Sequence, residues 1–188
     1  PTSEKKFTLS AWVKFCTFGT NMAIAGWWRN STTYVYFYKN SSDQLEIKVL
    51  DSGSTVIEKI TNRVLRDPSA WFNIIFSIDT TDGTAEDRAK IYINGVRETS
   101  FGTNTNCSQN INLSAAVDDS GTTVSIGASG SSAAVDQHFF DGYITEVFHI
   151  DGLAYAASTF GEFDEDSPTI WKPKDCKDDV TFGNEGFY

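Results

Sequence analysis

Cysteine is scarce in this chain of 188 residues: only Cys16, Cys107 and Cys176 are present. Three widely spaced thiols cannot form a disulfide framework, and no pair has the CxxC spacing of a zinc site. Histidine is scarcer still. His138 and His149 are too few for a His-rich metal site, and no serine occupies a Gly-x-Ser-x-Gly elbow, so a catalytic triad has no support. No run of about 18 apolar residues occurs, so no segment reads as a membrane-spanning helix and no membrane insertion is expected. Positive charge is also in short supply. Fifteen Lys and Arg face 25 Asp and Glu, for a net charge of -10, which repels phosphate backbones and makes nucleic acid an unexpected partner. No motif calls for a cofactor.

Aromatic side chains are plentiful, with 14 Phe, 7 Tyr and 5 Trp, and hydrophobic residues make up 40% of the chain. That is enough apolar surface for a sizeable core, and it excludes intrinsic disorder. The length fits one domain with a short extension. The pattern is of period two. In Phe7 to Phe15 (FTLSAWVKF), Phe7, Leu9, Ala11, Val13 and Phe15 share one face while Thr8, Ser10, Trp12 and Lys14 share the other, which reads as a half-buried strand. The same alternation recurs at 34–38, 45–49, 71–79, 90–94, 123–128 and 143–150, and more weakly at 21–28 and 56–60.

Turn residues fall between these runs. Asn94-Gly95 tolerates positive φ at both central positions of a type I′ turn, so the flanking segments are expected to pair antiparallel. Asp51-Ser52-Gly53 and Asp82-Gly83 read as looser hairpin loops. Nine or ten short strands with frequent turns imply an all-β fold, an antiparallel β-sandwich. The only helical signal is a single turn at Ala156 to Phe160, closed by Gly161. The Gly/Ser/Ala stretch 127–134 and the Asn/Thr/Ser stretch 102–112 read as surface loops. Charge rises beyond Asp164 and Pro168 and Pro173 appear, so the expected division is a body of residues 1–174 and an extension or linker at 175–188. The chain opens PTSEKK and closes TFGNEGFY, and it reads as a module of something larger.

FTLSAWVK at Phe7 to Lys14, WFNIIFSIDTT at Trp71 to Thr81, RAKIYINGVRE at Arg88 to Glu98 and FFDGYITEVFHIDGLAY at Phe139 to Tyr155 together resemble the laminin-G-like, concanavalin-A-like jelly rolls of bacteriophage virion proteins. The FDGYITEVFHIDG stretch, followed by STFGEFDE and IWKPK, is the most distinctive part. The resemblance implies a jelly-roll sandwich serving as a non-catalytic adhesion or structural module of a tail fibre or capsid decoration. It also implies a place on the virion surface, other virion proteins and further copies of itself as partners, and host surface glycans as candidate ligands.

The residues offer one candidate site. Tyr34, Tyr36 and Tyr38 alternate with Val35 and Phe37, so three phenol rings share a strand face, with Trp27, Trp28 and Arg29 just before them; such a group can stack sugar rings. The same rings could instead pack with their hydroxyls satisfied. Glu162-Phe163-Asp164-Glu165-Asp166 superficially resembles the Glu-x-Asp-x-Glu strand of some glycoside hydrolases, although it follows the helical turn and precedes Pro168. A polysaccharide hydrolase is therefore one alternative. A calcium-dependent secreted lectin is another: Asp118-Asp119, Asp136 with Asp141, and Asp79 with Asp82 could serve in rim loops, and Asn30, Asn40, Asn106 and Asn112 begin glycosylation sequons. None of the acidic groups matches a dedicated metal loop, so no metal residue is assigned. His149 alternates with Tyr143, Thr145 and Val147 and is expected to be a hydrogen-bonded strand histidine.

Overall fold

A computed structural model describes residues 2–113, 121–130 and 135–188, with 135–137 described by backbone alone. Two antiparallel sheets form the sandwich, a jelly-roll arrangement in keeping with the alternation in the sequence. The five-stranded sheet contains β1 (Lys6–Phe15), β6 (Phe72–Asp79), β7 (Ala89–Ile93), β8 (Val96–Arg97) and β13 (Gly142–Asp151), in the order β13-β1-β6-β7-β8. The six-stranded sheet contains β2 (Met22–Asn30), β3 (Thr33–Lys39), β4 (Gln44–Asp51), β5 (Ser54–Val64), β9 (Phe101–Thr105) and β10 (Thr123–Ile126), in the order β10-β2-β3-β4-β5-β9. Two small ribbons complete the fold: β11 (Ser129–Gly130) pairs with β12 (Val135–Gln137), and β14 (Gly161–Phe163) with β15 (Trp171–Pro173).

The core lies between the sheets, where the period of two sends every second side chain. Phe7, Leu9, Ala11, Val13 and Phe15 of β1 meet Val35 and Phe37 of β3, Ile47 and Val49 of β4 and Phe76 of β6 in one cluster. Phe37 joins the layers, with its ring centroid 4.6 Å from that of Phe76 and 6.0 Å from that of Phe7. Two lysines depart from the apolar rule. Lys39 is fully buried and pairs with Asp43, which also accepts from Arg66 at 2.7 Å, while its alkyl stem carries the ammonium over Phe15 and Phe18. Lys59 is equally buried, bonded to Asn104 and set over the Phe101 ring.

Turns follow the backbone chemistry. Asn94 and Gly95 both have positive φ and join β7 to β8 with Ile93 opposite Val96, the expected two-residue hairpin. Ser52 and Gly53 also have positive φ and connect Asp51 to its partner Ser54, so this loop is tighter than the sequence implied. Asp82-Gly83 lies instead in a longer connection that carries a 3-10 turn at Ala85–Asp87. The stretch 102–112 is not wholly loop: β9 pairs with β5 there, as a polar edge strand whose side chains give no alternation to read. Ser129 and Gly130, in the other stretch taken as loop, form β11 and are buried; residues 131–134 of that stretch lie outside the described residues.

The expectation that β1 is half-buried is corrected. Thr8, Ser10 and Trp12, on its outward face, are buried because residues 152–188 fold back across the outside of the five-stranded sheet. Ile75, Phe148 and Ile150 of the sheet meet Ala157, Phe160 and Cys176 there, with Tyr155, Trp171, Val180 and Phe182 packed around them. The 3-10 turn Ala157–Thr159 falls where the single helical turn was expected. Thr8 is satisfied under this cover: its hydroxyl donates to the Leu153 carbonyl at 2.9 Å and accepts from the Tyr155 N–H at 2.8 Å. Residues 175–188, set apart by composition, thus pack on the sandwich; Phe187 bonds His149 through both backbone groups at 2.9 Å and shields part of the β13 edge.

Candidate functional site: an aromatic face

The two sheets differ on their outer sides. The five-stranded sheet is covered by the C-terminal segment, whereas among the described residues the six-stranded sheet carries outside it only the β11–β12 ribbon at one margin. Aromatic rings stand on that open face. Tyr34, Tyr36 and Tyr38 point outward from β3 while Val35 and Phe37 point inward, as the alternation requires. Pairing of β2 with β3 sets Trp28 opposite Tyr34. The rings of Trp28, Tyr34 and Tyr36 are nearly parallel: Trp28 and Tyr34 are 5.6 Å apart at 14°, and Tyr34 and Tyr36 are 4.5 Å apart at 21°. Tyr38 turns edge-on to Tyr36 and stacks instead on His138 at 6.1 Å.

Sequence neighbours of these rings divide between the faces. Trp27 is 3% exposed and packs into the core against Phe37 and His149, so it does not join the outer group. Arg29 is exposed and lies where the β2–β3 register shifts between Trp28 and Asn30, at the end of the aromatic row.

Polar groups border the rings. Lys48 of β4 lies opposite Tyr36 and Glu46 opposite Tyr38, and Glu58 of β5 lies opposite Lys48. The Lys48 ammonium contacts Glu58 at 2.6 Å, an ion pair that raises the lysine pKa. The Tyr38 hydroxyl donates to Glu46 at 2.6 Å, and the Tyr36 hydroxyl donates to the Gly130 carbonyl at 2.8 Å. Burial, reinforced by Tyr34 for Tyr36 and by the Glu46 hydrogen bond for Tyr38, pushes both phenols well above their ordinary range, so both stay neutral donors. Gly130 is required where it stands, because a Cβ there would lie 2.8 Å from Trp28.

Lys48, Glu46, Glu58 and His138 were not singled out from sequence. For Glu46 and Lys48 the alternation of LEIKV gives a shared outward face, but the turn alone would set Lys48 opposite Ile57. The register shift between Val49 and Leu50, which the local letters do not show, brings Glu58 there instead. His138 joins through the β12 ribbon, which no local pattern announces.

The other candidates are placed differently. Only Glu162 and Phe163 of the acidic run lie on a strand. Lys172 sits between Glu162 at 3.5 Å and Asp164 at 3.3 Å, and Asp164 also caps the turn at Asp166 and Ser167. Lys172 and these N–H groups hold the Asp164 carboxyl below its usual range, the opposite of what a general acid needs. Asp79 is engaged by Lys6 and Thr81, Asp82 by the Thr84 N–H, and Asp141 by Thr17. Asp118-Asp119 and the Asp136 side chain lie outside the described residues; among the described residues no group of three or more potential metal ligands converges. His149 is a strand histidine, as expected: buried beside Trp27 and Phe187, it engages the Glu185 carbonyl at 3.3 Å, and burial drives its pKa down to about 4.

Comparison with solved structures shows the same fold elsewhere. The heptameric SAP-like pentraxin of Limulus polyphemus is 18% identical with a TM-score of 0.54, the match covering 81% of this chain and 66% of that one. The carbohydrate-binding module CBM40 of the Ruminococcus gnavus IT-sialidase, solved with α2,3-sialyllactose, is 13% identical with a TM-score of 0.54, covering 78% and 75%. Domain 4 of the Geobacillus stearothermophilus arabinanase AbnA, solved with arabinotriose, is 16% identical with a TM-score of 0.51, covering 80% and 63%. The chain thus spans just under two thirds of the pentraxin and of the arabinanase domain. At these identities the likeness is one of fold. No curated protein sequence matches the chain. A family model does, over residues 1–151, and by that match the chain belongs to the concanavalin A-like lectin/glucanases superfamily.

Proposed function

We propose that this domain is a non-catalytic adhesion module that holds glycans on the open face of its six-stranded sheet. One observation carries the reading: Trp28, Tyr34 and Tyr36 form a half-buried array of near-parallel rings on the one sheet face that the C-terminal segment leaves uncovered. Large rings kept at a surface forgo part of their burial, a cost that ligand contact offsets. Lys48, Glu58 and Glu46 add charged groups suited to sugar hydroxyls. The fold's occurrence as a carbohydrate-binding module solved with a saccharide supports the same reading.

The module acts on a bacteriophage virion surface, in a tail fibre or capsid decoration, as a homo-oligomer beside other virion proteins. The support here is the sequence resemblance of Phe139 to Tyr155 and the IWKPK stretch. Repeated copies make weak individual contacts effective, because tethering raises the local concentration of sites. A glycan array probed with the wild-type protein and with Tyr34→Ala tests the ligand. Retention lost in the variant is expected, and unchanged retention removes the platform from the mechanism. Release of reducing ends from any retained glycan would overturn the non-catalytic part, and absence of the protein from purified particles would overturn the virion part.

A further inference from the structure

A second feature lies on the opposite side of the sandwich, where Trp12, Trp71 and Trp171, three of the five tryptophans, border one cleft of ≈ 310 Å³ together with Thr145, Glu146 and Lys172. The three rings come from β1, from the residue before β6 and from β15, so only the tertiary fold brings them together. Trp171 is fixed in place: a Cβ on Gly95 or Gly161 would lie 2.4 or 2.5 Å from its ring, and its indole N–H donates to Asn73 at 3.0 Å. Trp71 remains 40% exposed, and Tyr143, 61% exposed, stands beside it at 6.3 Å.

Two observations point to a ligand. Trp12 is 9% exposed, yet its buried indole N–H has no acceptor among the described residues. Such a donor is costly to leave unmade; sealed from solvent, it gains an acceptor when a ligand oxygen parts the rings. The β13 strand also bulges here: Ala11 faces both Glu146 and Val147, and Glu146 adopts φ 50, a costly conformation for a residue other than glycine. The bulge sets Glu146 on the wall of the cleft, and its carboxylate accepts from the Tyr188 hydroxyl at 3.3 Å.

We propose that this cleft is a second saccharide site, taking the ring of an uncharged sugar. Apolar walls receive the C–H face of a pyranose, while Glu146 accepts from a hydroxyl and the Trp12 N–H donates to an oxygen. Charge selects against anionic sugars, because Lys172 is shared between Glu162 and Asp164, so that together with Glu146 the rim carries an excess of carboxylate. Since the cleft and the aromatic face lie on opposite sheets, one module can engage two glycan strands.

The test follows the indole N–H signals of the five tryptophans by ¹H–¹⁵N NMR, assigned through Trp→Phe variants, during addition of millimolar lactose, maltotriose or N,N′-diacetylchitobiose, with 3′-sialyllactose as the anionic comparison. At least one neutral saccharide is expected to move the Trp12 and Trp71 signals, and to do so in a Tyr34→Ala background, which separates this site from the platform. Trp71→Ala, whose fold is checked by far-UV circular dichroism, weakens that response at least about tenfold, with Trp71→Phe between it and wild type, and Glu146→Gln also weakens it. Indole signals unmoved by all three neutral saccharides, or moved equally in Trp71→Ala, would overturn the proposal. Equal movement with sialyllactose would overturn the charge selection.

Discussion

Trp27 and Trp28 are neighbours in the chain, so replacing each in turn by alanine asks the same chemistry on opposite faces of β2. Trp27 is buried, edge-on to Phe37 at 5.7 Å and tilted against His149 at 4.8 Å. Removing such a core ring costs about 3–5 kcal/mol, because the surrounding sheets cannot close on the space. Against a total stability of about 5–15 kcal/mol, this removes a large share, and the midpoint of thermal unfolding falls by roughly 6–20 °C at this chain length. Trp28 is half-buried, stacked on Tyr34 and in contact with the Gly130 backbone, so Trp28→Ala costs only about 1–2 kcal/mol. Urea unfolding of both variants, followed in parallel with glycan retention, checks the pair. The expected pattern is crossed: Trp27→Ala loses stability, and Trp28→Ala keeps most of its stability but loses retention. Equal losses of stability in the two variants would show that the register assigned to β2 is wrong, and with it the aromatic face.

Two further outcomes follow from the packing. Gly95→Ala meets both a positive φ and the Trp171 ring, and is expected to cost about 2–5 kcal/mol by chemical denaturation. In a Trp171→Ala background the ring clash is gone, and the same change should cost only about 1–2 kcal/mol, the conformational part alone. The second concerns pH. Burial holds His149 at about 4 in the folded chain, against about 6.5 when unfolded, so below pH 6.5 the unfolded state binds the proton first. Stability is therefore expected to fall as the pH drops from about 6.5 to about 4, by on the order of 3 kcal/mol in all, and to lose this dependence in His149→Gln. The Asp43 carboxyl adds a separate loss at lower pH. Burial alone would raise its pKa, but Lys39, Arg66 and the Gly19 N–H hold it at about 2, so the stability it contributes above about 3.8 disappears as pH falls through 2. A flat stability profile between pH 6.5 and 4 would refute the buried, neutral state of His149.

Much of the sandwich could be read before any coordinates, because a strand with one face in a core writes its burial into alternate letters. Segments 7–15, 34–38 and 71–79 fall on β1, β3 and β6, and Asn94-Gly95 forms its two-residue turn. The polar edge strand β9 escaped because neither of its faces is strongly apolar. Lys39 and Lys59 escaped because a lysine in a strand pattern reads as solvent-facing, and only the spatial arrival of Asp43, or of Glu86, Asn104 and Phe101, makes the inward position tolerable. The grouping of Trp27 with Trp28 shows the limit from the other side. Adjacent strand residues must point apart, but which of the two faces the core depends on the partner sheet.

The sequence by itself determined that this is an antiparallel all-β domain, and that Tyr34, Tyr36 and Tyr38 share a face, since strand periodicity is a local property of the backbone. Tertiary structure alone decided which sheet face stays open. That choice rests on contacts between residues as far apart in the chain as Ile75 and Cys176: Phe160, Cys176 and Phe182 close over Ile75 and Phe148, and among the described residues the tyrosine face is left with only the β11–β12 ribbon at its margin. It likewise decided that Trp12, Trp71 and Trp171 meet in one cleft, because only the packing of β15 against the five-stranded sheet brings side chains so distant in the chain within reach of one ligand.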